Sequence, residues 1–348
     1  MRISTLMSYA SGFKEAVKEI KELEKAGLDV AWVPEAYSFD APSAMGYLAA
    51  ETDTITIASG ILPIYSRTPS LLAMTAAGID ALSDGRCMLG LGASGPQVIE
   101  GFHGVPYQAP VARMREIIEI CRMVWRREKV QHMGTHFQIP LPQDQGTGLG
   151  KPLKLINHPV RENIPIAVAS LGQASVAMTA ELADAWLPAF YTAEAAQAVW
   201  GDALKKGQAK RSADRPPLEV FAGGMVAIGE GLEGLRDLAR PQAALYIGGM
   251  GARSKNFYND IFSKSGYAAE AKLIQDLYLG GEKKAAEEAI PEDYLAKNSL
   301  IGDEAFVKDR LAALKESGVT ALNVGLAGKT PAERVAQCDR LKNLVEAM

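Results

Sequence analysis

The chain carries four short apolar segments at nearly even spacing: Ile3-Ser-Thr-Leu6, Val30-Ala-Trp-Val33, Ile55-Thr-Ile-Ala58 and Met88-Leu-Gly-Leu91. Each predicts a buried strand, and the sequence between them has the apolar spacing of amphipathic helices. Strands that alternate with helices form a parallel sheet whose faces the helices cover. In such sheets the functional residues lie at the carboxyl ends of the strands, so they are expected directly after each segment.

The alternation continues to the end of the chain, with two interruptions. Further strands are predicted at Ile164–Ala169, Ala185–Leu187, Glu219–Ile228 and Ala321–Val324, and helices at 13–23, 42–51, 69–82, 110–127, 172–182, 193–209, 303–317 and 331–346. The interruptions, at about 128–163 and 248–299, follow strands four and seven and are too long for ordinary connections. Eight strands in parallel units favour an α/β fold that closes as a (β/α)8 TIM barrel, in one domain over residues 1–348.

The composition favours a small-molecule partner. The 348 residues include 37 Lys and Arg against 41 Asp and Glu, so the chain lacks the positive charge that binds nucleic acids and anionic membranes. The cysteines, Cys87, Cys121 and Cys338, are too scattered for a disulfide framework or a zinc site. No apolar stretch is long enough to cross a bilayer and no signal-peptide pattern occurs, so we expect a cytoplasmic location.

A glycine-rich run, Gly90-Leu-Gly-Ala-Ser-Gly95, follows the fourth strand with the spacing of a dinucleotide-binding fingerprint. Its context argues against that fold, because Pro96 follows at once and Glu116, at the place of the fingerprint's acidic residue, lies inside a predicted helix. In a barrel, the same glycines would let the backbone approach a flat, flavin-like ring closely, since no Cβ stands in the way.

Two other strand ends carry candidate binding groups. The Ala169–Gln173 turn joins strand five to its helix, so its backbone amides can bind an anion such as phosphate; alternatively, Ser170 only caps the helix. Glu35 ends strand two and could handle a proton, bind a ligand or form a structural ion pair. Arg67, after strand three, could hold a ligand anion or be only solvated.

Metal and acyl-transfer chemistry are not indicated. The four histidines, His103, His132, His136 and His158, share no metal-ligand spacing, so no metal site is predicted. The G-x-S-x-G nucleophile elbow of acyl-transfer enzymes is absent from the sequence.

Several longer runs are distinctive: Ser94–Tyr107, Pro110–Glu116, Gly150–Ile156, Ile166–Gly172, Ala180–Pro188, Leu245–Gly251 and Asn256–Asn259. They resemble the bacterial luciferase-like superfamily, and most closely its branch of deazaflavin-dependent oxidoreductases from actinobacteria. The resemblance extends from the first strand to Ser299–Gly302 and beyond, so it covers essentially the whole chain.

The resemblance implies a (β/α)8 barrel, usually dimeric, that binds coenzyme F420 or, in other branches, FMN. Carried onto this chain, it implies a non-prolyl cis peptide at Ser59–Gly60 or one residue further on, beneath the cofactor ring. The implied cofactor-binding residues are Ser59, Gly60 and Ile61 under the ring, Ala93, Ser94 and Gly95 beside it, and Ser170, Leu171, Gly172 and Gln173 at the phosphate. Lys151 and Lys154 are candidates for the acidic tail of the deazaflavin.

The chain also departs from the better-known members of the superfamily. Its sugar-phosphate and alcohol dehydrogenases carry a His after the acidic residue that ends strand two, and a Glu in the strand-four loop. Here Ala36 and Gly95 occupy those places. The acid–base pair that alcohol oxidation needs is therefore missing.

The leading hypothesis is an F420-dependent oxidoreductase that transfers hydride between the deazaflavin and a small, fairly apolar substrate, as a C=C or C=N reductase and not as an alcohol dehydrogenase. Glu35 is the candidate catalytic group, and Tyr9, Tyr37 and Phe39 are candidate walls of the substrate cavity. The aromatic start of the second interruption is either a lid or a dimer contact. The alternatives are an FMN-dependent monooxygenase and a non-catalytic flavin-binding protein. The expected partners are a small-molecule substrate and a second copy of the chain, without nucleic acid or membrane.

Overall fold

The computed structural model describes residues 1–8, 12–251, 253 and 256–348. Its centre is a closed ring of parallel strands, because the first strand pairs with the last as well as with the second. The ring consists of β1 (Arg2–Leu6), β2 (Val30–Val33), β3 (Thr56–Ser59), β4 (Cys87–Gly92), β5 (Ile166–Ala169), β6 (Ala185–Leu187), β7 (Glu219–Ala222) and β8 (Ala321–Leu326). The predicted (β/α)8 TIM barrel is confirmed.

Eight helices cover the outside of the ring. They are α1 (Phe13–Lys25), α2 (Ala41–Glu51), α3 (Pro69–Leu82), α4 (Pro110–Trp125), α5 (Gln173–Leu182), α6 (Ala196–Gln208), α7 (Glu304–Glu316) and α8 (Pro331–Glu346). Four of them begin at a side chain that accepts a hydrogen bond from a first-turn amide: Asp40, Thr68, Asp303 and Thr330. Such N-caps satisfy donors that have no partner within the helix. None of the helices in the described ranges is long and apolar enough to span a bilayer.

Side chains alternate between the barrel interior and the helices along each strand, as the period of a strand requires. In β2, Val30 and Trp32 point into the barrel, whereas Ala31 and Val33 join the core under the helices. The interior combines two large rings with small residues. Trp32 meets Phe221 edge to face, with ring centroids 5.2 Å apart, and Ala58, Ala167, Ala185 and Ala321 make room for them.

The prediction of one long strand at Glu219–Ile228 was wrong. The segment forms two strands, β7 and Met225–Ile228, which Gly223 and Gly224 separate. A Cβ at Gly223 would lie 2.6 Å from the carbonyl oxygen of Asn323, so the two glycines let neighbouring backbones come unusually close. Beyond them the second strand pairs with the end of β8 on one side and with Ser299–Gly302 on the other, a strand that lies at the boundary of the predicted second interruption.

The first insertion lies against α4. It contains a small hairpin, His132–Met133 with Gln138–Ile139, and a 3₁₀ turn at Gln143–Gln145. The carboxylate of Glu116 accepts hydrogen bonds from the amides of Thr135 at 3.0 Å and Phe137 at 2.9 Å. Glu116 therefore anchors the hairpin, which explains a buried acid on a barrel helix.

The second insertion is mostly helical. Its segments are a 3₁₀ helix at Glu233–Ala239, α-helices at Arg240–Ala244, Phe257–Phe262, Ala268–Leu279, Lys283–Glu288 and Glu292–Lys297, and π-helical turns at Leu245–Gly249 and Ser263–Tyr267. It buries a core of its own around Phe262, Ile274 and Tyr294, and Phe190 of the barrel packs against this core as well as the main one. A single domain over the whole chain stays a prediction.

Candidate functional site

The carboxyl ends of the strands open at one end of the barrel, which we call the mouth. At the end of β3, the peptide Gly60–Ile61 is cis, one residue beyond Ser59–Gly60 and within the predicted range. The Ser59 hydroxyl donates to the Gly90 carbonyl and accepts from the Gly90 amide, both at 2.8 Å. A Cβ at Gly90 would collide with the Ser59 carbonyl, so this glycine is required by the close approach of β3 and β4.

Trp32 forms the floor beneath the mouth. A Cβ at Gly60 would lie 2.9 Å from the Trp32 Cβ and 3.3 Å from Leu6, whose side chain is half exposed at the end of β1. The indole N–H of Trp32 is buried and has no hydrogen-bond partner among the residues that the structure describes. Buried donors are normally paired, so this one is available to a ligand or a water. Sequence reasoning identified Trp32 only as a core residue.

A polar pair, Ser4 and Asn323, also lies inside the barrel and was missed from sequence. The Ser4 hydroxyl lies 2.8 Å from the Leu322 carbonyl and 3.3 Å from the Asn323 side-chain oxygen. The two residues stand opposite each other in the β1–β8 pairing. Alternation of side chains along β1 and β8 was the only available signal, and it does not distinguish a binding residue from a structural one.

The loop after β4 is held in one arrangement by two tyrosines. Tyr107 donates to the Ser94 carbonyl at 3.3 Å, and Tyr65 donates to the Gln108 carbonyl at 2.8 Å. Their rings lie 5.2 Å apart, and burial raises the pKa of Tyr65 to about 12, so it stays neutral. Ser94 has a left-handed backbone with φ of 57°. Together these contacts fix Ala93, Ser94 and Gly95 at the mouth, beside the cis peptide at the end of β3.

Glu35 and Arg67 meet at the mouth as an ion pair. Arg67 Nη1 donates to Glu35 Oε1 at 2.5 Å and Nη2 donates to Oε2 at 2.8 Å. The Ala41 amide also donates to Oε2 at 2.8 Å, and the Glu35 side chain is only 7% exposed. Of the roles predicted for Glu35, the structural pair is the one that the geometry shows. Arg67 is accordingly neither solvated nor free to bind a ligand anion.

The turn after β5 uses its side chains for internal contacts. The Ser170 hydroxyl bonds to the Thr179 hydroxyl at 2.8 Å, so Ser170 does not cap α5, and the Gln173 side chain donates to the Val199 carbonyl at 2.6 Å. Trp200 donates to the Leu171 carbonyl at 2.9 Å. Gly172 is the N-cap of α5 and provides no side-chain cap, so the first amides of the helix remain available.

Packing does not explain why residue 172 is a glycine. Its backbone is extended, with φ of −75°, and an added Cβ would meet only Ser175 Oγ at 3.6 Å and Phe257 at 3.8 Å, which are ordinary contact distances. The fold therefore has room for a Cβ at the α5 N-terminus, in van der Waals contact with Phe257 from the second insertion.

Exposed aromatic side chains surround the mouth. Tyr37 is 69% exposed and Phe39 is 90% exposed, and the Tyr37 ring lies 6.2 Å from that of Phe102. Phe102, from the loop after β4, is 65% exposed and was not among the predicted site residues. Tyr9, the third predicted wall, lies outside the described residues.

The arrangement can hold a flat ring over the cis peptide Gly60–Ile61 and an anion at the α5 N-terminus. Within the described ranges, no group of three His, Cys, Asp or Glu residues is arranged to hold a metal ion. The predicted catalytic carboxylate, Glu35, is already paired, so the site offers binding and orientation more than acid–base groups.

Comparison with known proteins agrees with this geometry. Residues 1–321 match the family model of luciferase-like monooxygenases. A Mycobacterium tuberculosis protein, provisionally assigned as a coenzyme F420-dependent oxidoreductase, is 37% identical over 304 residues, covering 86% of this chain and 87% of that protein. The 5,10-methylenetetrahydromethanopterin reductase of Archaeoglobus fulgidus is 25% identical over 308 residues, covering 88% and 87%. The solved structure of a coenzyme F420-dependent tetrahydromethanopterin reductase from Methanopyrus kandleri matches with a TM-score of 0.78 at 18% identity over 97% of both chains, which supports the fold.

Proposed function

The chain belongs to the luciferase-like monooxygenase family, as its motifs predicted, and we propose that within it the protein is an oxidoreductase that transfers hydride between coenzyme F420 and a small, fairly apolar substrate. The observation that carries the proposal is that a Cβ would fit at Gly172 without a clash. Because the fold itself would tolerate a Cβ there, the glycine is best explained by a ligand that approaches the backbone. The F420-dependent assignment of the 37% identical relative supports the choice of ligand.

We propose that the cofactor ring lies over the cis peptide Gly60–Ile61. Ile61 packs onto Gly92, where a Cβ would lie 2.7 Å from the Ile61 side chain, so the end of β4 supports this peptide. Trp32, whose indole N–H has no partner among the described residues, packs under the same peptide through its Cβ and the Cε3 edge of its ring. When bound, the deazaflavin ring supplies the hydride chemistry, and the barrel orients it and excludes water.

The phosphate is best placed at the α5 N-terminus. Helix N-termini bind anions through free amides and the positive end of the helix dipole. Since Ser170 and Gln173 use their side chains for contacts within the protein, the backbone amides after Gly172 are the remaining donors. Backbone amides of this turn were also the phosphate donors expected from the sequence.

The substrate is proposed to enter between Tyr37, Phe39 and Phe102. Exposed aromatic rings at a mouth are costly in water unless a ligand or partner covers them, and they favour an apolar ligand. Tyr37 and Phe39 follow β2 and Phe102 follows β4, so they border the proposed ring site from two sides.

A reductase is favoured over an alcohol dehydrogenase. Alcohol oxidation needs a base for the hydroxyl proton, and Glu35, the predicted catalytic group, is engaged by Arg67 through both oxygens. A proton-handling role for Glu35 therefore requires this pair to open. Reduction of a polarised C=C or C=N bond needs only a proton after hydride arrives, and water can deliver it.

A homodimer is proposed through α2 and α3. The exposed positions of α3 are Leu71, Met74, Gly78, Ala81 and Leu82, none of them charged, and Tyr47 is exposed on the neighbouring α2. An uncharged outer face on two adjacent helices marks an interaction surface. Met74→Glu should convert a dimer to monomers in sedimentation analysis. A wild-type monomer would refute the proposal.

The cytoplasmic location and the absence of nucleic-acid and membrane partners stay predictions.

The cofactor is tested by titrating the apoprotein with F420 and with FMN. We expect F420 to bind at least tenfold more tightly, which is about 1.4 kcal/mol. Equal or tighter binding of FMN would favour the FMN-dependent monooxygenase instead. Oxidation of the reduced cofactor by any acceptor would separate an enzyme from a non-catalytic flavin-binding protein.

A further inference from the structure

A trough runs down the outside of the barrel from the proposed phosphate site. It is a cavity of about 180 Å³ that α4, α5 and α6 enclose, and its walls include Val111, Arg115, Ala174, Ala177, Lys206 and Lys210. The floor is α5, which contributes the small residues Ala174 and Ala177 toward the mouth and the larger Met178 and Glu181 further along. A Cβ at Gly207 would collide with the Ala177 carbonyl, so α6 approaches α5 closely at this point.

The trough begins directly after the Ala169–Gln173 turn, where the phosphate is proposed to bind. Ala174 lies in the first turn of α5, directly after the amides that are proposed to bind the phosphate, and Glu181 lies near the end of the same helix. The seven residues between them correspond to about 10 Å along the helix axis. A chain that continues outward from the phosphate would therefore enter the trough at Ala174.

The free charge of the trough is positive. Arg115 and Glu181 neutralise each other, with Nη1–Oε1 and Nη2–Oε2 distances of 2.9 and 2.7 Å. The hydrogen bonds from Arg115 lower the pKa of Glu181 against the opposing effect of burial, so this pair stays ionised. Lys206, in the last turn of α6, and Lys210, just beyond its end, are exposed on the opposite wall.

We propose that this trough binds the acidic tail of the cofactor. The inference rests on the proposed function, since F420 differs from FMN in carrying a phosphodiester that continues into a glutamate tail. A tail of carboxylates complements Lys206 and Lys210, and the small side chains of α5 leave room for its backbone.

The sequence suggested Lys151 and Lys154 for this role, but their segment packs elsewhere. The Val130 amide donates to the Leu153 carbonyl at 3.0 Å, and Arg127 donates to the Leu155 carbonyl at 3.2 Å. Both contacts lie beyond the C-terminal end of α4, about 20 Å along the helix axis from its first turn at the mouth. Lys206 and Lys210 instead line the cavity that starts at Ala174, and Gly207 between them packs on Ala177, about one helical turn further along α5.

The test compares the affinities for F420 with several glutamates and for F420 without any, measured by deazaflavin fluorescence. Wild-type protein is expected to bind the glutamylated form at least threefold more tightly at low ionic strength, and the difference should shrink as salt rises. The variant K206E/K210E should lose this advantage while binding the glutamate-free form as wild type does. Melting curves verify that the variant is folded.

The matched control is K18E/K25E, which makes the same charge change on α1, three strands away around the ring. Lys18 and Lys25 are strongly exposed, at 70% and 69%, and each pairs only with a glutamate of its own helix. The control should keep the preference for the glutamylated form. Equal affinities in the wild type, or a preference that survives in K206E/K210E, would overturn the proposal. Binding of neither form would refute the proposed cofactor itself.

Discussion

Arg67 binds both carboxylate oxygens of Glu35, joining the loop after β2 to the start of α3. Both side chains are largely buried, with exposed fractions of 14% and 7%. A buried pair of this geometry holds the mouth in shape, because neither charge can be left without its partner at low cost.

Replacing Glu35 by Gln is therefore expected to destabilise the protein. Loss of the pair should lower the free energy of unfolding by about 3 kcal/mol, since it leaves Arg67 buried without a counter-charge. Denaturant unfolding measures the change. Glu15→Gln is the control, because it removes the partner of Lys18 in an exposed pair and should cost less than about 1 kcal/mol. Unchanged stability, together with loss of the basic limb of the pH–rate profile, would show instead that Glu35 is the proton donor.

The strand and helix positions could be predicted because they depend on local alternation of apolar residues. The Glu35–Arg67 pair could not, since the sequence offered three roles for Glu35 and two for Arg67, and only the folded loops bring them together. The break at Gly223 and Gly224 was missed for the same reason. It depends on the carbonyls of Asn298 and Asn323, which are distant in sequence.

The site residues were predicted better by position than by role. Ser59 and Ser170 lie where the sequence placed them, yet both hydroxyls serve the fold. The open donor at Trp32 could not be inferred, because a pattern identifies a buried residue but not an unpaired atom.

Gly172→Val is expected to weaken F420 binding by at least tenfold, about 1.4 kcal/mol, because the added methyl groups occupy the approach to the α5 amides. Ser170→Ala should have only a modest effect, as its hydroxyl faces Thr179. Gly234→Val is the control, since a Cβ there meets nothing within 4 Å. Fluorescence titration gives the affinities and thermal melting verifies the fold. Full affinity in the Gly172 variant would place the phosphate elsewhere.

The hairpin of the first insertion should loosen in acid. Burial raises the pKa of Glu116, but hydrogen bonds from the amides of His136 and Phe137 outweigh it and hold the pKa below the ordinary value of 4.5. A carboxyl with a lowered folded pKa stabilises the native state above its unfolded pKa, and this contribution is lost as the pH falls through the folded value.

Hydrogen exchange at the amides of Thr135 and Phe137 measures this effect. Their protection should be constant above about pH 5 and should fall below the ordinary Glu pKa, which is near 4.3. Glu116→Gln should remove the pH dependence and lower protection throughout. The amides of α1 provide an internal control, and an identical acid response there would show global unfolding instead.

The reaction class is the last prediction: reduced F420 should be oxidised by enones or cyclic imines, while oxidised F420 should not be reduced by alcohols or glucose 6-phosphate. Alcohol oxidation needs a base when hydride leaves, and Ala36 and Gly95 stand where the dehydrogenases of the superfamily carry theirs. Glu35, the predicted catalytic acid, is bound to Arg67. Hydride addition to a polarised C=C or C=N bond leaves an anion that water can protonate. Steady-state assays of both directions decide, with Glu35→Gln as the matched variant, which should retain reductase turnover if its fold survives. Robust oxidation of alcohols or sugar phosphates by both proteins would show that another group takes the proton and that the protein is a dehydrogenase.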